Sequence, residues 1–146
     1  MLKVKSLYDV DFNLWVEEQV VALKGGRLED LDLPNLIEEV EALAREDKKA
    51  LRSYLEILLM HFLKCQFQPE KRSNSWDTSI TRAQIEIEDI YMDSPSLRNY
   101  LSTVTGKVYD RARLLAAKET GLAKATFPAE CPYELKQALD MDFLPE

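Results

Sequence analysis

The chain has 146 residues, 46% of them apolar and 31% charged, and a formal charge of −7. That length suits a single folded domain over residues 1–146 with a core of its own, and the acidic balance argues against general affinity for nucleic acid or anionic lipid. Two cysteines are too few for a disulfide framework, and four glycines and six prolines suit long helices better than many short strands.

The start, Met1-Leu2-Lys3-Val4-Lys5, is followed by charges in place of an apolar leader core. Together with free thiols at Cys65 and Cys131, this gives the expectation of a cytoplasmic protein. The first helix is expected after Asp11, because Phe12, Trp15, Val16, Gln19, Val20 and Leu23 recur at helical spacing; Gly25-Gly26 stops it. Asp32 is placed to cap a second helix, with Pro34 in its first turn. The charged patch Arg45-Glu46-Asp47-Lys48-Lys49 marks either a break between two helices or a bend in one; one long, bent element from Pro34 to Phe67 is the preferred reading, with a first apolar stripe of Leu36, Val40 and Leu43.

After a polar loop, Ser75 or Asp77 caps a third helix through Met92, with Trp76, Ile80, Ala83, Ile87 and Ile90 inward. Ser94 and Pro95 are read as the cap and first residue of a fourth helix. Its seam is Leu97, Leu101, Val104, Val108, Ala112 and Leu115, and Gly121 ends it. An irregular tail follows, with a short helix between Pro132 and Leu139 and anchors at Phe127, Tyr133, Leu135 and Phe143. Repeats, low-complexity segments and strand patterns are missing from the sequence. Four long helices with short connections predict an all-α, antiparallel helical bundle carrying the tail and its short helix.

The only histidine, His61, sits in the most apolar run, Ile57-Leu58-Leu59-Met60-His61-Phe62-Leu63, which is far short of the ~20 residues that span a bilayer. On a wheel of ~100° per residue, Asp47, Tyr54, His61, Cys65 and Gln68 share one seam with Leu43, Ala50 and Leu58. The opposite face is charged around Lys48, Lys49, Arg52 and Glu56, then apolar around Leu59, Met60, Leu63 and Phe67. The helix therefore passes into a position covered on both sides. A buried ring needs partners. The plain expectation is that His61 donates to a carbonyl or carboxylate of a neighbouring helix and orders the core.

Several chemistries are poorly served by these residues. His61 and Cys65 are one turn apart, but a structural zinc needs four ligands and no spacing supplies the rest. Leu58, not Glu, precedes His61 by three, so di-iron Glu-x-x-His pairs are excluded. Gly25-Gly26 lacks the Gly-Lys-Ser/Thr of a phosphate loop. A thiol buried beside His61 is expected to be inert. No catalytic residue, metal or cofactor is assigned. The acids Glu38, Glu39 and Glu41 suit the start of the long helix. From Ser94 to Lys118 the bases Arg98, Lys107, Arg111, Arg113 and Lys118 face one acid, Asp110. This stripe is expected to pair with acids of the second helix or the tail. Without interleaved aromatics it is not read as a nucleic-acid surface.

Tyr8-Asp9-Val10-Asp11-Phe12 with Trp15, and Leu31-Asp32 with Leu36-Ile37-Glu38-Glu39, resemble a bacterial, often cyanobacterial, family. So do Leu58 to Lys64 with Gln66 and Gln68-Pro69, Arg72 with Ser75-Trp76, Asp93-Ser94-Pro95-Ser96-Leu97, and the ending Phe127-Pro128, Cys131-Pro132-Tyr133 and Asp142-Phe143-Leu144-Pro145. The chain is similar to the domain of unknown function family numbered twenty-nine from Tyr8 onward. The resemblance implies a small all-helical domain without established activity or agreed catalytic residues. It also implies that His61, Gln66 and Gln68 form one unit with Arg72 and Trp76.

These readings favour a non-enzymatic protein-interaction or regulatory module, with a protein partner or a second copy and no membrane role; a helical nucleic-acid module using Lys107 and Arg111 is the least favoured class. The alternative is a small-ligand binder or enzyme with a pocket at His61, Arg72 and Trp76, joined by Glu38, Glu39, Gln66 and Gln68. There His61 would be base or anchor, Arg72 an anion clamp and Trp76 a wall.

Overall fold

The computed structural model describes residues 6–146; Met1-Leu2-Lys3-Val4-Lys5, on which the reading of the chain start rests, lies outside the described residues. Among the described residues every regular element is helical, which bears out the all-α expectation. Six α-helices run Leu7–Val10 (α1), Phe12–Lys24 (α2), Leu33–Phe67 (α3), Asn74–Asp93 (α4), Leu97–Thr120 (α5) and Leu135–Ala138 (α6). No helix among the described residues is long and apolar enough to cross a membrane. The chain falls into two compact units, one ending at Arg45 and one from Glu46 to Glu146, each described by itself.

The first unit holds α1, α2 and the start of α3. The Asp11 carboxylate caps α2 by accepting from the Leu14 N–H at 3.0 Å, as the sequence suggests. The apolar spacing on α2 misplaces its inner face. Trp15, Gln19 and Ala22 are buried, whereas Phe12, Val20 and Leu23 are exposed. The reason is a core closed by polar bonds. The Trp15 indole donates to Asp32 Oδ2 at 3.0 Å, the Asp32 N–H donates to Gln19 Oε1 at 2.8 Å, and Asn35 Nδ2 donates to Asp32 Oδ2 at 2.8 Å. Tyr8 meets the Trp15 ring edge-on at 4.8 Å and Phe12 stacks on it at 5.6 Å.

The second unit is built on α3, which runs unbroken through the charged patch Arg45-Glu46-Asp47-Lys48-Lys49. From Leu58 to Cys65 every residue of α3 is buried, as a helix apolar all round must be. Ile80, Ala83 and Ile87 of α4, then Leu97, Leu101, Val108, Ala112 and Ala116 of α5, complete this core. Three cross-helix contacts fix the directions. Arg52 meets Tyr100, Glu56 meets Arg111 and Lys64 meets Glu119, advancing together along α3 and α5. Those two helices therefore run parallel, and α4 returns antiparallel between them in sequence.

Two expected caps are displaced. Ser73, not Ser75 or Asp77, caps α4, its hydroxyl accepting from the Trp76 N–H at 3.4 Å. Ser94 and Pro95 do not open α5: their carbonyls accept from Leu97 and Arg98 in tight three-residue turns, so the helix begins only at Leu97. Gly121 ends α5 as expected, with φ 76° in the left-handed region.

The tail is anchored by Phe127 and Tyr133, both buried, with Leu135 and Phe143 packed against the core. Polar pins the sequence did not reveal add to this. Gln84, buried on α4, donates to the carbonyls of Ala138 at 3.0 Å and Asp140 at 3.2 Å. Tyr109 donates to the Pro128 carbonyl at 2.6 Å.

Hydrogen bonds from Asn35 foremost, and from Trp15, hold the Asp32 carboxyl below its ordinary value against the opposing pull of desolvation. A lowered folded value gives stability that is present above the unfolded carboxylate range and lost as pH falls through the folded one. Asp32→Ala is expected to cost about 2 kcal/mol at neutral pH. Urea unfolding followed by tryptophan emission should show that deficit shrinking toward pH 3; a deficit unchanged at acid pH refutes the role given to the carboxylate.

Candidate functional site

Of the polar residues singled out in the sequence, His61, Gln66, Gln68, Arg72 and Trp76 lie where the carboxyl end of α3 turns, through the 3-10 segment Pro69–Lys71, into the amino end of α4. Burial here follows from the chain: α3 has no solvent face between Leu58 and Cys65, so its polar members at His61 and Lys64 go inside with the rest. Both are about nine-tenths covered, at 9% exposure each.

Lys64 is the best-held member. Its ammonium lies 2.9 Å from Glu119 Oε2 of α5 and 4.4 Å from the centre of the Trp76 ring of α4. One side chain thus ties three helices, by an ion pair and by a cation–π contact of about 1 kcal/mol. His61, one turn before it, lies 6.3 Å from the same indole, the two rings tilted by 54°. Its Nδ1 is buried with no hydrogen-bond partner. The expected bond to a neighbouring carbonyl or carboxylate is therefore not made at that atom. Leaving the atom unpaired costs about 1–3 kcal/mol.

Burial pushes the His61 imidazole below the ordinary histidine value, the Lys64 charge pushes it further, and Glu119 opposes both. The neutral ring is the form this environment favours. Burial likewise pushes the Cys65 thiol up, which disfavours the thiolate needed of a nucleophile.

The remaining members are engaged elsewhere. Gln68 is buried, with Nε2 3.5 Å from the Thr120 carbonyl. Gln66 accepts from the Tyr133 hydroxyl at 2.6 Å and so fastens the tail. Arg72, proposed from sequence as an anion clamp, pairs with Asp77 at 2.9 Å. Glu38 and Glu39 lie in the first unit with partners there: Arg45 approaches Glu38 at 2.8 Å, and the Tyr8 hydroxyl donates to Glu39. That bond, foremost, raises the Tyr8 hydroxyl to about 12. Tyr54 is half-buried and Asp47 exposed, so the polar seam does not extend to its first member. Among the described residues no group of three or more His, Cys, Asp or Glu side chains is placed to hold a metal ion.

Sequence reasoning missed Lys64 and Glu119. The signal was present in the lysine set directly between Leu63 and Cys65, where the apolar run continues around it. The pairing with Glu119 is 55 residues away and needed the parallel arrangement of α3 and α5 to be seen.

The fold and this cluster define a small all-helical domain whose polar centre cross-links three helices. The chain belongs to the family described as Domain of unknown function DUF29, whose model matches residues 7–144. No function is assigned to that family. No curated protein and no solved structure matches the chain.

Because the folded His61 value lies below the unfolded one, the ring adds no pH-dependent penalty above about pH 6.5, and stability falls as pH drops from there through the folded value. As the chain's single histidine, it gives one resolvable imidazole signal in an NMR titration. That signal should stay neutral well below pH 6.5, and His61→Leu should leave stability at pH 7.5 unchanged or raised. A ring titrating at or above the ordinary value contradicts this reading.

Proposed function

We propose that the protein is a non-enzymatic interaction module that pairs with a second copy of itself through the first part of α3. The observation that carries the reading is an uncovered apolar stripe. Leu33, Ile37, Val40 and Leu43 follow one another at four, three and three residues and are 55%, 56%, 64% and 64% exposed. Val40 and Leu43, expected from their spacing on the first apolar stripe of this helix, are left uncovered by the described residues. Burying one such side chain is worth about 1.5–3 kcal/mol. Leu33, Ile37 and Val40 follow the four-three step of a coiled-coil seam, and Leu43 extends the same apolar face by one turn.

A second copy is the simplest occupant, because a two-fold interface needs only a patch complementary to itself. Glu38 and Glu41 beside the stripe are neutralised in part by Arg45, at 2.8 and 3.8 Å, which limits like-charge repulsion between copies. Cytoplasmic residence belongs to the same proposal and is supported by two free thiols, Cys65 and Cys131. So does the reading of the chain as one folding domain, for which a single melting transition is expected.

The rival reading, a small-ligand pocket at His61, Arg72 and Trp76, draws support from the unpaired Nδ1. Against it stand the engagement of Arg72 by Asp77 and of Trp76 by Lys64.

Light scattering on a sizing column should give about twice the 16.9 kDa chain mass. Ile37→Asp combined with Val40→Asp should give a monomer with unchanged helical circular dichroism. A monomeric wild-type mass at about 100 μM protein, weaker than most specific association, overturns the proposal. So does a dimer that survives the double substitution.

A further inference from the structure

A second feature of the Glu46–Glu146 unit lies away from His61. Between α3 and α5 is a cavity of about 320 Å³ whose charged lining is Lys49, Arg52, Glu56, Lys107 and Arg111. Four cations against one carboxylate leave three net positive charges, in a chain whose formal charge is −7. The concentration follows from the parallel run of the two helices. Lys49, Arg52 and Glu56 recur at three and four residues along one face of α3, and Lys107 and Arg111 at four along α5.

Two of the cations are already oriented. Arg52 donates through Nη1 to the Tyr100 hydroxyl, and the Tyr100 ring carries the Lys48 ammonium 5.2 Å from its centre. Arg111 donates through Nε to Glu56 at 3.0 Å, and the Glu56 side chain is only 17% exposed. One guanidinium from each helix thus has a partner that orients it toward the cavity while its side chain stays open to solvent, 76% exposed for Arg111. Buried Val108 and the Ser53 hydroxyl complete the lining. The sequence expectation that this basic stretch pairs with acids of the second helix or the tail holds for Arg111 with Glu56, whereas Arg98 pairs with Glu88 of α4. One carboxylate does not balance the four cations that converge here, and their mutual repulsion is relieved by an anion.

We propose that this cavity binds a small, multiply charged phosphate compound. Guanidinium groups fork onto phosphate oxygens, and a phosphate bearing two or more charges matches the excess. The volume suits a small molecule. A nucleic-acid chain fits less well, since the net charge repels a long polyanion and no aromatic ring lines the cavity for base stacking.

The probe is pyrophosphate, titrated at low salt and followed by the Val108 methyl signals and by melting temperature. Saturable binding with a rise in melting temperature is expected. Arg52→Ala and, separately, Lys107→Gln should each weaken it by about tenfold or more. Lys107→Gln serves as the variant least able to disturb packing, since Lys107 is exposed. Absence of saturable binding at millimolar pyrophosphate overturns the proposal, as does binding that neither substitution weakens. A single-stranded oligonucleotide that binds more tightly than pyrophosphate, through these same residues, also overturns it in favour of a nucleic-acid surface.

Discussion

A lysine buried in the most apolar stretch of the chain is the constraint around which the second unit is arranged. Taking an ammonium out of water costs several kcal/mol unless it is paired. Lys64 meets that cost with Glu119 from α5 and the Trp76 face from α4. The register of α5 against α3 and the docking of the start of α4 are thereby set at one point. The neighbouring His61 feels the same charge, which is part of why its ring is held neutral. Lys64, Glu119 and Trp76 thus clamp three helices together, and His61 beside them keeps one nitrogen without a partner.

The parallel run of α3 and α5 has a second consequence. It brings like-charged faces together further up the same pair, where Lys49 and Arg52 meet Lys107 and Arg111. At the Lys64 end opposite charges meet; in the cavity the cations outnumber their single carboxylate. One helix pair thus carries an opposite-charge contact at one end and an excess of cations further up.

Helix existence and type were legible in the sequence because the four long elements carry caps, glycine stops and 3.6-residue periodicity. Which face of α2 turns inward was not. Phe12, Val20 and Leu23 look like core by hydropathy, but the first unit closes around Asp32 bonds to Trp15, Asn35 and Gln19. Periodicity weighs apolar residues and is blind to a polar hub. The cap positions of α4 and α5, Ser73 and Ser96, lie two residues from the nearest expected caps, Ser75 and Ser94, because serines recur at every second position there. At the site, the proximity of His61 to Trp76 was legible from the resemblance. Lys64 with Glu119, and the cationic cavity, were not, since both depend on helix direction, which short loops suggested only for sequence neighbours.

The clamp is tested most directly by a double-mutant cycle on Lys64 and Glu119, using Lys64→Met and Glu119→Gln with chemical unfolding at neutral pH. With Glu119 about half exposed, at 47%, the account predicts a coupling of about 1–2 kcal/mol, above the range of surface pairs. It also predicts that Lys64→Met alone is tolerated better than Glu119→Gln, because only the latter leaves a buried charge without its partner. A coupling indistinguishable from zero would contradict the account.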